Sequence, residues 1–543
     1  MNGTFRQSMA WLHTWGGLWL GWVLYAIFFT GAIGVFDEAI THWMNPERRA
    51  LAAASGDTVK QQPAIVDRAQ AYLVKVAPKS HFWSIGLPDE EEPALRVFWE
   101  DEKKNFQSAR LDPTTGQAIP PGLTRETEGG HHFVHMHFEF HAGMAGIWIA
   151  GVATIAMLVA LVSGIVTHRR IFKDFFTFRP KKGQRSWLDA HNATGVLMLP
   201  FLLMISYTGV IVFYATYMPA GIAARYKGNE DAYFAEVQKQ TAHRDETGIS
   251  ATVRPMGPLT AQAVEKIGRP ASFVVVEHPG DSSASLRVFG RRDEAAQDGR
   301  LRPLSSGEMT FDAVTGEVLD VEMPLGSRGG PAQHVQQVMN ALHFVQFGGY
   351  LAKWLYFFCG LAGAAMLATG MILFTVKRRR KQENEFGRAT QRVYRVIEAL
   401  NIASVAGLAV ASIAFFWANR LVPLAVEHRS TWEIALFFAV WVATLLHAFV
   451  RPVHKAWTEQ LAAGAVLCLL LPVLNAFTTG DHLALAIARG DALSAGVEAT
   501  IFASGLLMLA AIAHLRRAAR QPGRSPKAPQ PAVGRPAATG AAS

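Results

Sequence analysis

An all-α integral membrane domain of about eight transmembrane helices, bearing two duplicated α+β lobes on its exterior side, is the fold class that this 543-residue sequence predicts. Three observations lead there. Half of the residues are hydrophobic, and they collect in charge-poor runs of about 20 residues or more, the length that roughly 30 Å of hydrocarbon demands of a helix. The chain also repeats itself. His-Phe-Glu-Phe-His-Ala-Gly (His137 to Gly143) returns as His-Phe-Val-Gln-Phe-Gly-Gly (His343 to Gly349), and both lead at one spacing into a Ser/Thr-Gly step, Ser163-Gly164 and Thr369-Gly370. Finally, lysine and arginine crowd into short loops on one side of the runs, which orients them.

In chain order, residues 1–36 form the first span. Its apolar run, Trp11 to Phe36, is too long for a signal-peptide core and reads as a retained anchor. His13 leads this run and Thr30-Gly31 ends it. Residues 37–136 form the first exterior lobe: a helix from Ala64 to Val76, then a three-stranded meander through Phe82–Ile85, Ala94–Trp99 and Ser108–Leu111, closed by Asp112-Pro113-Thr114-Thr115-Gly116. The alternation of Leu95-Arg96-Val97 suits a strand with one wet face, and Asp, Pro and Gly supply the dihedrals of a tight turn.

Residues 137–217 hold spans two and three, with a loop between them that carries Arg169, Arg170, Lys173, Arg179, Lys181, Lys182 and Arg185 against Asp174 alone. That loop belongs in the cytoplasm. His191 leads the third span, which ends at Thr208-Gly209 in the register of His13 and Thr30-Gly31. Residues 218–342 repeat the lobe: a helix Ala261–Ile267, strands Ser272–Glu277 and Ser285–Phe289, and Met309 running into Asp312-Ala313-Val314-Thr315-Gly316. Leu-Arg-Val-Phe and Asp-x-x-Thr-Gly occur in both lobes in the same order, which makes duplication the reading. Residues 343–380 are the fourth span, and the basic run Lys377–Lys381 follows its apolar part.

Residues 393–515 add four more spans, near Ala399–Ala418, Trp432–Val450, Leu461–Phe477 and Ala499–Leu515, without the histidine and Thr-Gly pattern. His447, His454 and His482 there read as interfacial histidines. Residues 516–543 return to the cytoplasm as a basic tail, Pro/Ala-rich and disordered from about Gln521. The formal charge of +9 then reflects topology and contact with anionic lipid, not nucleic-acid binding. The two cysteines, Cys359 and Cys468, both lie inside apolar spans, so neither a disulfide nor a thiolate metal site is expected.

Helix, meander and Asp-x-x-Thr-Gly resemble a PepSY lobe, and the histidine-led runs resemble the membrane segments that accompany it. From about residue 5 to 380 the chain is similar to the PepSY-associated transmembrane family, whose better understood members resemble haem-bearing ferric-siderophore reductases of the Gram-negative inner membrane. The resemblance implies a protein of the bacterial inner (cytoplasmic) membrane, with periplasmic lobes and both termini cytoplasmic, that reduces a ferric siderophore or other ferric chelate. PepSY lobes also occur in protease propeptides and sensors. A non-enzymatic sensor or scaffold, and a transporter of a metal chelate, are therefore the rival readings.

Histidine at membrane depth is costly and marks a pathway, a proton relay or a ligand, and two facing imidazoles fill both axial positions of a haem iron. His13 and His191 occupy equivalent repeat positions, as do His137 and His343. Each pair is expected to bind one haem b, the first on the inner side and the second on the outer. The nearby glycines Gly16, Gly17, Gly143, Gly195, Gly348 and Gly349 are expected to make room for the macrocycle. His141, one turn below His137, and His168, level with His191, are further candidates and leave a third haem open. His131, His132 and His135 are metal-capable or line the rim of a ligand site. From His137 to His168 the helix would span roughly 40 Å, long for one electron hop. No Gly-x-Gly-x-x-Gly follows an expected strand and no P-loop is present, so the electron donor is expected to be a quinol or a separate cytoplasmic reductase.

Overall fold

The structure, a computed structural model, describes residues 3–47, 59–89, 92–101, 103, 105–120, 122–167, 184–238, 244–291, 306–324 and 331–520. His168, the basic loop 168–183 and the tail from 521 lie outside them. Among the described residues seven helices are long and apolar enough to cross a membrane, and eight if the bent pair 186–197 and 199–212 counts as one span.

Helix α1 (Gly3–Gly34) crosses first and α2 (Asp37–Met44) turns the chain toward the first lobe. After the lobe, α4 (His131–Phe138) precedes the span α5 (Gly143–Thr167), while α6 (Gln184–Leu197) and α7 (Leu199–Val212) share the third span. Those two helices meet at 65°, because Pro200 in the first turn of α7 cannot continue the hydrogen-bond ladder of α6. Past the second lobe, α9 (Pro331–His343) precedes α10 (Gly349–Ile402), which carries the fourth span, 349–376, and opens the fifth, 391–421. Phe374, Tyr394 and Ile397 share one apolar cluster with Leu18, and 20 residues of straight helix would separate Phe374 from Tyr394 by about 30 Å. The two spans therefore lie side by side.

The lobes are not separate bodies. Their strands form one seven-stranded antiparallel sheet in the order β3-β2-β1-β4-β5-β6-β7, with β1 (Phe82–Gly86), β2 (Leu95–Glu100), β3 (Phe106–Leu111), β4 (Ala271–Glu277), β5 (Ser285–Gly290), β6 (Glu308–Asp312) and β7 (Val318–Glu322). The first strands of the two repeats, β1 and β4, pair with each other, Trp83 opposite Val276 and Ile85 opposite Val274. Alternate residues of the strands, such as Ile85, Val97, Val274 and Phe311, meet α3 (Gln62–Val76) and α8 (Met256–Ile267) in one core. The two Asp-x-x-Thr-Gly turns share one geometry. Asp112 Oδ1 accepts from the Thr114 and Thr115 amides at 2.7 and 2.9 Å, Asp312 Oδ1 from Val314 and Thr315 at 3.0 and 2.7 Å, and Gly116 and Gly316 adopt φ of 71° and 80°. Aspartate closes the turn and glycine takes the left-handed residue.

The last helices, α11 (Leu408–Leu421), α12 (Arg429–Val450), α13 (Val453–Thr479) and α14 (Ala492–Arg520), dock on the repeated unit through polar groups with little or no solvent exposure. Arg420 lies over the Trp43 ring at 4.0 Å and donates to the Trp43 carbonyl at 2.8 Å. Arg125 donates to the Asn419 carbonyl, Thr127 to Glu433, and Arg429 and Glu433 form a fully buried ion pair. Sequence reading attached no role to these residues.

Candidate functional site

His13 and His191 face each other with ring centroids 6.2 Å apart, and His137 and His343 with centroids 6.0 Å apart. Each pair takes one imidazole from each repeat, as the equivalence of positions requires. Two ring nitrogens about 2 Å from one metal, each about 1 Å from its ring centre, put the centroids about 6 Å apart. Both separations fit a single metal ion between the rings.

The rings are held in one manner. His13 Nδ1 lies 2.8 Å from the Ala160 carbonyl, His137 Nδ1 2.8 Å from that of Ile27, and His191 Nδ1 2.9 Å from that of Met366. His343 Nδ1 lies 3.0 Å from Thr208 Oγ1, a hydroxyl that itself donates to the Met204 and Ile205 carbonyls and so accepts here. Ala160, Ile27, Met366 and Ile205 each stand four residues before the glycine of a Ser/Thr-Gly step: Gly164, Gly31, Gly370 and Gly209. A Cβ on those glycines would lie 3.1, 2.5, 3.0 and 3.1 Å from an atom of His13, His137, His191 and His343 respectively. The Ser/Thr-Gly step of one helix is thus the socket for a histidine of another. Holding Nδ1 to a carbonyl fixes the tautomer and directs coordination to Nε2.

Sequence reading assigned space-making to other glycines. Gly16, Gly17, Gly143 and Gly349 meet nothing within 4 Å of an added Cβ, while Gly143, Gly348 and Gly349 have φ of 55°, 67° and 55° and serve the turn into a span. That turn also corrects the picture of four spans each led by its histidine. His137 and His343 close the short helices α4 and α9, and the spans begin after a break at Gly143 and Gly349.

His141 does not extend the helix of His137. Phe140 and His141 both have φ of 53°, the chain reverses, and His141 Nε2 shares a hydrogen bond with His132 Nδ1 at 3.0 Å. The cluster expected at the rim divides. His131 is 60% exposed and 3.6 Å from Asp37, His132 is fully buried against Phe415 and Phe437, and His135 bonds Glu139 at 2.5 Å. His447 is held by Glu459 at 3.0 Å and Gln460 at 3.3 Å.

The His137–His343 pair lines a cavity of about 1000 Å³ whose apolar walls include Ile27, Met157 and Phe201, with Glu38, Arg269 and Lys353 among its charged lining residues. A flat macrocycle with acidic substituents fits such a space in size and polarity. The two pairs are linked through α1: His13 lies on it, and Ile27, which holds His137, lies 14 residues further on, about 21 Å along the axis. That is half of the spacing reckoned between His137 and His168.

Two comparisons bear on the chain. Residues 10–377 match the family described as the PepSY-associated TM region. A protein of Pseudomonas aeruginosa described as "Uncharacterized protein PA4219" is 24% identical over 391 residues, covering 69% of this chain and 92% of that relative.

Proposed function

Because the chain belongs to the PepSY-associated TM family, we propose that it is a membrane haem protein that passes electrons across a bacterial inner membrane and reduces ferric iron held in siderophores or other chelates. The observation that carries this reading is the pair of facing imidazole sets, 6.2 and 6.0 Å between centroids, each ring anchored through Nδ1 and the two sets linked by α1. His13 and His191 would hold one haem b; His137 and His343 would hold the other. A haem with two histidine ligands exchanges single electrons and keeps no open position for oxygen.

The protein's part is to bind, to fix ligand orientation and to keep the sites dry. The Nδ1 hydrogen bonds raise the basicity of each ligand, and the sockets stop the rings from turning. The sheet lies on the periplasmic side in this reading, both termini are cytoplasmic, and the excess of Lys and Arg in residues 168–185 supports that orientation. Electrons enter at the His13–His191 side from a quinol or a separate reductase and leave at the His137–His343 side. A ferric chelate that accepts one electron becomes labile, since Fe²⁺ binds hard oxygen donors less tightly than Fe³⁺ does.

The test is optical. Purified protein should show a Soret band and split visible bands after dithionite, and an impermeant ferric chelate added to right-side-out vesicles should reoxidise it. A colourless, folded protein would overturn the reading, and reoxidation only after permeabilisation would reverse its direction.

A further inference from the structure

The sheet carries a second cluster of ligand-bearing side chains, remote in sequence from the four paired histidines. His81, Glu246 and His278 bring one imidazole, one carboxylate and one imidazole together with their donor atoms all within 4.8 Å of one another, and His81 Nδ1 already stands 3.3 Å from Glu246 Oε2. Ligands at about 2.0–2.1 Å from a tetrahedral ion lie about 3.4 Å apart. Small side-chain rotations would therefore close the set.

The backbone builds this convergence. Phe82 opposite Glu277 is the last register pair between β1 and β4, and the His278 amide continues the ladder by donating to the His81 carbonyl at 2.9 Å. His81 and His278 thus meet at the end of the strand pair that joins the two repeats. His278 has φ of 51°, a left-handed conformation that asparagine, aspartate and histidine adopt more readily than other non-glycine residues. Glu246 is held from both sides: Arg244 bonds Asp312 at 2.7 Å, and Thr247 donates from its hydroxyl and amide to Asp281 Oδ1 at 2.8 and 3.1 Å. The side chains of His81 and Glu246 are 54% and 46% exposed, so an ion can reach them from solution.

We propose that His81, Glu246 and His278 form an exchangeable site for a divalent first-row transition ion, which clamps the two halves of the sheet at their seam. Imidazole with carboxylate selects Zn²⁺ or Fe²⁺ over Ca²⁺ and Mg²⁺, which prefer all-oxygen sets. Three protein ligands leave a coordination position for water, the arrangement of an open site rather than a closed structural one. Across the seam, the ion would link His81 of the first repeat to Glu246 and His278 of the second.

The experiment uses the full chain in detergent, without an affinity tag, stripped of metal and titrated with ZnCl₂ by calorimetry. Other surface histidines can add weak sites, so the reading is the difference between proteins. Glu246→Gln and His278→Asn, the latter chosen because asparagine tolerates the left-handed backbone, should each weaken one site at least ten-fold, while His334→Ala leaves it unchanged. Zn²⁺ should raise the thermal midpoint of the wild type and not of Glu246→Gln, which replaces an exposed side chain and keeps the fold testable. Binding and midpoint shift equal to wild type in both site variants would overturn the proposal.

Discussion

Replacing Gly31 with Ala strikes the tightest of the four sockets. The new methyl carbon would stand 2.5 Å from His137 Nδ1 and 2.7 Å from Cε1, whereas non-bonded carbons settle at about 3.5–4.0 Å. The ring must retreat by about 1 Å, which breaks its 2.8 Å bond to the Ile27 carbonyl. Overpacking costs about 1–3 kcal/mol and the hydrogen bond about 1 kcal/mol, against about 0.5–1 kcal/mol gained by Ala over Gly within a helix. The net loss is then about 2 kcal/mol, and under the proposed function the haem of the His137–His343 pair should be lost with it. Gly164→Ala, whose methyl would lie 3.1 Å from His13 Cε1, asks only for a few tenths of an ångström and should do less. Gly496→Ala, on the last helix α14 and with nothing within 4 Å, should do nothing. Haem per protein by pyridine haemochrome and the thermal midpoint together measure the order. Were Gly31→Ala to match the wild type on both, or Gly496→Ala to match Gly31→Ala, the socket argument would fail.

Other changes follow from the same structure. His13→Ala or His191→Ala should each remove about one haem of two and spare the other, and a redox titration that still resolved two components in either variant would contradict the pairing. Glu433→Ala strips the carboxylate from the fully buried Arg429 and should cost about 3–5 kcal/mol; an unchanged denaturation midpoint would count against a structural role for that network. Asp312 is pushed up by burial but pulled down further by the Thr315 amide and Arg244, so its carboxyl sits below its ordinary range. A depressed folded pKa stabilises above the unfolded value of about 3.9 and is lost as pH falls through the folded one. Asp312→Asn should therefore destabilise most at neutral pH, and its gap to wild type should narrow below about pH 4 in thermal melts.

The apolar runs and the repeated Leu-Arg-Val-Phe and Asp-x-x-Thr-Gly strings were legible because both signals are local: span length follows from hydrocarbon thickness, and the turn motif satisfies its own hydrogen bonds. The pairing of β1 with β4 was not, since strand alternation says which face is buried and not which strand lies alongside. The partners of the histidines were legible by symmetry. Their sockets were visible as a pattern, Ser163-Gly164 or Thr30-Gly31, but without meaning, because a glycine's function there is set by a side chain more than a hundred residues away. His141 was misplaced because Phe140 and His141 take left-handed dihedrals that neither residue type announces. The buried Arg420, Arg429 and Glu433 carry no local signal in the sequence and gain their roles only through docking.

Each histidine pair takes one ring from each repeat, and the sheet is sewn through one strand of each. The chain is therefore a tethered dimer, in which a linker holds the two halves at an effective concentration of the order of millimolar. Neither half could form a facing pair by itself. In a true homodimer every change would strike both rings of a pair at once, whereas here the sides drift independently. That drift is already visible at the other pair, where the socket of His13 has Ala160 and Ser163 and that of His191 has Met366 and Thr369 at the same positions. The two rings of one pair can thus be tuned in opposite directions, a freedom that a symmetric assembly of identical subunits does not possess.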